Sequence, residues 1–380
     1  MSNPTASTAT SRKVQSRTAS SDHPDARAAV REIRDALQID ECKAVIAFVS
    51  SHYDLVEAGD ELRQAFPCPV LACTTAGEIG PHGLGRSTIV AVALAGAIDA
   101  ELHAIDLADE QRSLEAVIER ITTRAHREPL RHSCCLVLHD GLAGREERLN
   151  AALQDALTGT RLLGGSAGDD LDFRACHVFV HGAFRRGNAV LLHLLGDTPL
   201  MPIKIQHFAA GEDLMVVTSA DPATRRIREI DGLPAVEVYS ERTGVPVAEL
   251  GPTAFSRFPF VVEIDGDTYI RSIRAIEDDG SISLLCAIEE GVLFSLGRAL
   301  DPIAAAKSAF DWVVTTTGRP AVVIGFDCIL RGLEAQASES GPELYRLYRE
   351  HGVIGFHTYG ETYGRLHVNQ TFTGLAIGGG

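Results

Sequence analysis

No C-x-x-C pair occurs among the eight cysteines, so a zinc ribbon or a thioredoxin-like centre lacks its signature. C-x-x-C-H is missing too, which argues against covalent c-type haem attachment. Neither a Walker A pattern nor G-x-G-x-x-G is present, and nucleotide binding has no motif behind it. Lys and Arg form no block, and the formal net charge is −16. Nucleic acid needs a basic face, so DNA and RNA are set aside, together with anionic membrane surfaces. No apolar run reaches the roughly 18–20 residues of a membrane span; the longest, such as Thr88 to Ala97, read as buried strands. A secretory apolar segment is lacking as well, and the expected location is the cytoplasm.

What is present is a chain of 380 residues, 45% hydrophobic and 23% charged, the composition of a soluble globular protein. Its length suits two to three domains or one compound domain. The first stretch, "MSNPTASTATSRKVQSRTASSDHPDA", is rich in Ser, Thr and Ala and has no amphipathic stripe. Residues 1–27 are therefore expected to be a disordered leader. Most cysteines sit in apolar runs, where a thiol acts as a small hydrophobe, and all eight read as reduced.

One pattern recurs three times. "AVIAFVS … PVLACTTAGEI" spans Ala44 to Ile79, "CLVLHDG … TRLLGGSAGDD" spans Cys135 to Asp170, and "AVVIGFDC … GVIGFHTYGET" spans Ala321 to Thr362. Each copy has a branched apolar run, an amphipathic helical segment such as Ala143 to Leu157, and a second apolar run. Each ends in Ser/Thr, Ala/Tyr, Gly, Asp/Glu: Thr75, Ala76, Gly77, Glu78; Ser166, Ala167, Gly168, Asp169; Thr358, Tyr359, Gly360, Glu361. A further strand returns afterwards in "STIVAVALAG", "NAVLLHLLG" and "NQTFTGLAIG". Gly at a strand end permits positive φ or close approach, and the neighbouring hydroxyl and acid can bond to backbone or face a ligand. Carboxylates on three such corners could take a cation or a ligand amine. For metal, no second ligand recurs at fixed spacing.

Gly164-Gly165-Ser166-Ala167-Gly168 also satisfies G-x-S-x-G, the nucleophile elbow of many hydrolases. An elbow needs a strand, a sharp turn and a helix. Here "DDLDF" and the strand-like "CHVFVHG" follow instead, and the sister copies carry Thr in place of the serine and lack the first Gly. A hydrolase using Ser166 is thus disfavoured.

Met201 to Gly318 differs. A hairpin is expected from Val216–Ser219 and Ile227–Ile230, then a helix from Pro234 to Gly244. Three strands follow, with turns at Asp265-Gly266 and Asp279-Gly280. A helix capped by Asp301 with Pro302 at its first position completes the segment. The fold class is α/β (mixed α+β): two related halves, 28–200 and 201–380, built from repeated β-α-β-β modules with mixed sheets.

With those motifs in view, the chain resembles the FIST domain family. "LACTTAGEIG" and "LLGGSAGDD" are similar to its N-terminal domain; "VVTSADPATRRIREIDGLPA", "GFDCILR" and "GFHTYGETYGRLHVNQTFTG" are similar to its C-terminal domain. The last motif, with "IQHF", most resembles the nitric-oxide-sensing NosP subgroup. The resemblance implies a bacterial cytoplasmic input module without catalysis. For the subgroup it implies a non-covalent b-type haem, nitric oxide as ligand, a partner sensor histidine kinase, and a link to cyclic-di-GMP and biofilms. For FIST domains in general it implies a haem-free receptor for a small metabolite such as an amino acid. Output would come from a separate partner, and a homodimer stays open.

A haem sensor needs an axial ligand and an apolar slot. His177 and His181 lie four residues apart, about 13 Å along a strand, and cannot clamp one iron; they read as a strand edge. His139 and His193 read as core histidines. His207 and His367 match the histidines of the nitric-oxide-sensing pattern, and the haem iron is expected on one of them. The plainer alternative for His367 is a turn residue bonding backbone near the strand start. Cys68-Pro69 is a dipeptide found in some haem-regulated proteins and common by chance. The ligand pocket is expected from Cys328, Arg331, His357, Thr358, Tyr359, Gly360, Glu361 and Asn369, close to His207. Arg331 would pair with an anionic group, unless it is a helix-surface arginine.

Overall fold

A computed structural model describes residues 13–128, 131–264 and 266–378. Each apolar run becomes the middle of a sheet. Strands Ala44–Ser50, His132–His139 and Pro320–Cys328 pair in parallel with Val70–Thr75, Arg161–Ser166 and Val353–Thr358. Helices Leu55–Ala65 and Glu146–Ala156 make the first two crossovers; the third is split into Ile329–Ala337 and Gly341–Glu350. The returning strands, Ile89–Gly96, Asn188–Gly196 and Phe372–Gly378, lie antiparallel on the other flank. A leading strand closes each edge: Val14–Ser21, Ile98–Asp106 and Leu200–Ile205.

Alternation along these strands builds two layers. Ala44, Ile46 and Phe48 join Leu136, Leu138, Ile324 and Phe326 in one central core shared by all three sheets. Val45, Ala47 and Val49 face the helices instead. Strands covered on both faces read as unbroken apolar runs, which is why they stand out in the sequence. Phe48, Phe326 and Phe356 meet at the centre, with Phe48 and Phe356 at 4.7 Å between ring centroids.

The sheets exchange hairpins in a ring. The first module's hairpin, Glu78–Gly80 and Gly83–Gly85, pairs with Val353–Thr358 of the third. The third's, Glu361–Tyr363 and Leu366–Val368, pairs with Arg161–Ser166 of the second. The second's, Val178–Val180 and Ala183–Arg185, pairs with Val70–Thr75 of the first. Each sheet therefore ends on strands borrowed from another module.

Between the second and third modules sits a further sheet of nine strands among the described residues. The expected hairpin is there as Met215–Asp221 and Arg226–Ile230, and so is helix Ala235–Thr243. The three expected strands are four, Phe260–Ile264, Asp267–Arg271, Ile273–Ile276 and Ile282–Leu284, because the run breaks at Ser272. Asp265 of the expected turn lies outside the described residues. Asp301 caps helix Pro302–Thr317, accepting from the Ile303 and Ala304 amides.

The leader needs correction. Residues 14–21 form an edge strand, and Asp25 caps helix Ala26–Ala36 by accepting from the Ala28 amide. This strand buries only Val14, Ala19 and Ser21, so it lacks the apolar run that marks the others. Residues 1–12 of the expected leader lie outside the described residues.

Candidate functional site

The three signature corners meet where the hairpins cross. The Ala76 amide donates to the His357 carbonyl (3.1 Å) and the Ser166 amide to that of Gly360 (2.8 Å). The Gly168 amide donates to the Thr74 carbonyl at 3.1 Å. Gly77 needs its φ of +123° to make this turn. Gly168 is held by close approach: a Cβ there would lie 2.9 Å from both N and Cβ of Ala76.

The signature acids bond to the fold itself. Glu78 accepts from the Thr75 hydroxyl and from the hydroxyl (2.7 Å) and amide (3.2 Å) of Thr88. Glu361 repeats this with the Thr358 hydroxyl and the Thr371 amide (3.3 Å). Asp169 accepts from the Tyr359 hydroxyl and from the amides of Phe173, Arg174 and Ala175. Burial pushes the Glu78 carboxyl up to about 7 and Glu361 well above the carboxylate range. Thr358, Tyr359, Gly360 and Glu361 are thus corner-formers. Cys328, fully buried, donates its amide to the Thr371 carbonyl beside them.

Ser166 leads into no helix; the next regular element is strand Val178–Val180. Its hydroxyl donates to Glu146 at 3.2 Å, while Nε2 of nearby His139 bonds to Asn150 and Thr362. The arrangement is not an elbow. His139 and His193 are core histidines bonded through Nε2 only, His193 to Ser133. His177 is half-buried and His181 exposed, at the ends of the strand between them.

His207, Arg331 and His357 belong to one buried network that centres on Asp327, a residue not among those expected from the sequence. The Arg331 Nε donates to Asp327 (2.7 Å), one terminal nitrogen donates to His207 Nδ1 (2.7 Å), and the other lies 3.5 Å from the Tyr348 hydroxyl. Tyr348 donates to Asp327 at 3.1 Å, and His357 Nε2 pairs with the Tyr345 hydroxyl at 3.1 Å. His207 Nε2 lies 2.9 Å from both oxygens of Glu334. Arg331 is 2% exposed, so it is no surface residue. Burial opposes its charge, but Asp327 more than offsets this and its pKa is raised. Asp327 and Glu334 stand four before and three after Arg331 in "DCILRGLE", a spacing that could have flagged them.

This network floors a cavity of about 190 Å³, lined by Pro302, Ala335 and Leu344 and by the hydroxyls of Ser338 and Ser340. The network also sits at a joint. His207 lies between strand Leu200–Ile205 of the third sheet and strand Phe208–Ala210 of the nine-stranded sheet, and its carbonyl accepts from the Leu300 amide at 2.7 Å.

His367 lies elsewhere. Its Nε2 donates to the Leu285 carbonyl (3.2 Å) and its ring packs on Gly360 beside Asn369. Asn369 accepts from the Ser272 amide at 3.4 Å. Near it a buried ion cluster joins Arg225 to Glu146 and Glu147, both at 2.7 Å.

Haem can be tested on these groups. An arginine only donates, so His207 Nδ1 is an acceptor and its Nε2–H serves Glu334; neither nitrogen offers iron a lone pair. His367 Nδ1 has no partner, but the ring is 5% exposed and walled in. A cavity of 190 Å³ beside His207 is small for a porphyrin. In this conformation the residues do not fit haem. Among the described residues no group of three or more His, Cys, Asp or Glu is placed for a metal ion, and no helix is long and apolar enough to cross a membrane.

Residues 43–233 match the FIST N domain and residues 235–364 the FIST C domain. No curated protein matches the chain. Among solved structures, that of a chorismatase is similar at 10% identity, covering 97% of this chain and 99% of that one with a TM-score of 0.36.

Proposed function

Since the chain belongs to the FIST family and is a sensory signal-transduction protein, we propose that it is a haem-free receptor for a free α-amino acid. The observation that carries this reading is His207 bridging Arg331 to Glu334. A guanidinium and a carboxylate lining one cavity, three residues apart on helix Ile329–Ala337, match the α-carboxylate and α-ammonium of such a ligand. The apolar lining takes a small side chain. A ligand that replaces His207 on both partners frees the joint between the third sheet and the nine-stranded sheet. That change is the signal, and its energy comes from the difference in contacts between the two states. A sensor histidine kinase is the proposed recipient, on the strength of the "GFHTYGETYGRLHVNQTFTG" motif alone.

Calorimetric titration of the full chain with the twenty amino acids tests the ligand. At least one should bind, its N-acetyl derivative should not, and Glu334→Gln should weaken binding about tenfold or more through the lost charge-assisted bond. Binding that ignores both changes overturns the amino-acid reading. A one-to-one Soret shift with hemin that is lost in His207→Ala overturns the haem-free one in favour of nitric-oxide sensing.

A further inference from the structure

Two cysteines stand apart from the other six. Cys73, Cys134, Cys135, Cys176, Cys286 and Cys328 are buried, whereas Cys42 and Cys68 are partly exposed. Cys42 lies just before strand Ala44–Ser50 and Cys68 just before strand Val70–Thr75, the two parallel neighbours of the first sheet. Their sulfurs are 3.4 Å apart, with Cys68 donating to Cys42. Both are at the ends of these strands away from the signature corner. Pro67 and Pro69 restrict the backbone on each side of Cys68, so the pair meets through constrained main chain.

We propose that Cys42 and Cys68 form a reversible thiol–disulfide modification site whose oxidant is a low-molecular-weight disulfide. The Cys42 thiolate attacks one sulfur of that disulfide. The old S–S bond breaks, and its other half leaves and takes up a proton. Cys68, its proton given to solvent, attacks the Cys42 sulfur and expels the second small thiol. Two protein thiols are oxidised and one disulfide is reduced to two thiols. The bond length of roughly 2 Å is reached from 3.4 Å by side-chain movement.

Polarity supports Cys42 as the attacking sulfur. The bond from Cys68 lowers its thiol to about 7 and raises that of Cys68. Burial raises the six others, Cys286 to about 11 and Cys134 to about 12, and a buried thiol is a poor nucleophile.

The test treats reduced full-length protein with oxidised glutathione, then counts thiols after denaturation and maps peptides. The expected result is a fall from the eight cysteines by two, one intrachain Cys42–Cys68 linked peptide, and full reversal by dithiothreitol. In Cys42→Ser the link is absent and glutathione reacts at least tenfold more slowly. In Cys68→Ser, glutathione stays attached to Cys42. An unchanged thiol count, a link between chains, or separate adducts on both cysteines without a link would each overturn the proposal.

Discussion

A single carboxyl shows what the repeated acids are for. Glu78 is 1% exposed and held by two threonines, and its proton is bound up to about 7 against 4.5 for a free side chain. The folded chain therefore holds that proton more tightly than the unfolded one. Its contribution is whole below pH 4.5 and is lost as pH rises through about 7. The loss is on the order of 3 kcal/mol. His139 and His193 act in the opposite sense: burial lowers them to about 4 and 3, so their contribution is present above 6.5 and lost on acidification. We expect Glu78→Gln, which cannot ionise, to remove one descending contribution and so make the slope of urea midpoint against pH more positive between 4.5 and 7, with the contributions of Glu361, His139 and His193 left in place. A Glu78→Gln profile parallel to wild type across that range contradicts a buried, protonated Glu78.

At the scale of elements, the central strands, the crossover helices and the Asp301 cap were legible because each rests on local chemistry: unbroken apolar runs, Asp301 before Pro302, turn residues between strands. Edge strand Val14–Ser21 and the Asp25 cap, without an apolar run beside them, were not. Nor were the short hairpins. Strands of three residues, such as Glu78–Gly80, carry no periodicity. Nothing in their side chains says that they pair with a module hundreds of residues away. Gly168 is one point where this exchange packs closely against backbone. Gly168→Ala would press a methyl against Ala76 backbone, and rigid backbone cannot yield as a side chain does. The expected cost is about 1–3 kcal/mol, read as a lower urea midpoint with unchanged slope. No loss on Gly168→Ala would mean that the second hairpin does not dock on the first module as described.

For the whole molecule, the ring of borrowed hairpins makes the three modules interdependent. A chain cut after residue 197 keeps two modules but loses the third sheet. That leaves hairpin Glu78–Gly85 unpaired and strips the central core of Ile324, Phe326 and Phe356. We expect such a fragment to aggregate or to lack a cooperative thermal transition, while the full chain unfolds its three repeated modules together. A soluble, cooperatively folded fragment would show instead that the modules are independent.

The primary structure carries the threefold repeat, the family, the mixed α/β class and the identity of the corner residues, because these follow from local periodicity and from glycine, hydroxyl and acid at strand ends. It also names His207 and Arg331 as residues of interest. That they touch, that Asp327 and Glu334 complete their network, and that His367 stands apart follow from how the sheets interlock. The sequence separation of 124 between His207 and Arg331 leaves no local trace of the contact. Whether a histidine there keeps a lone pair free depends on the partner opposite it, and packing supplies that partner.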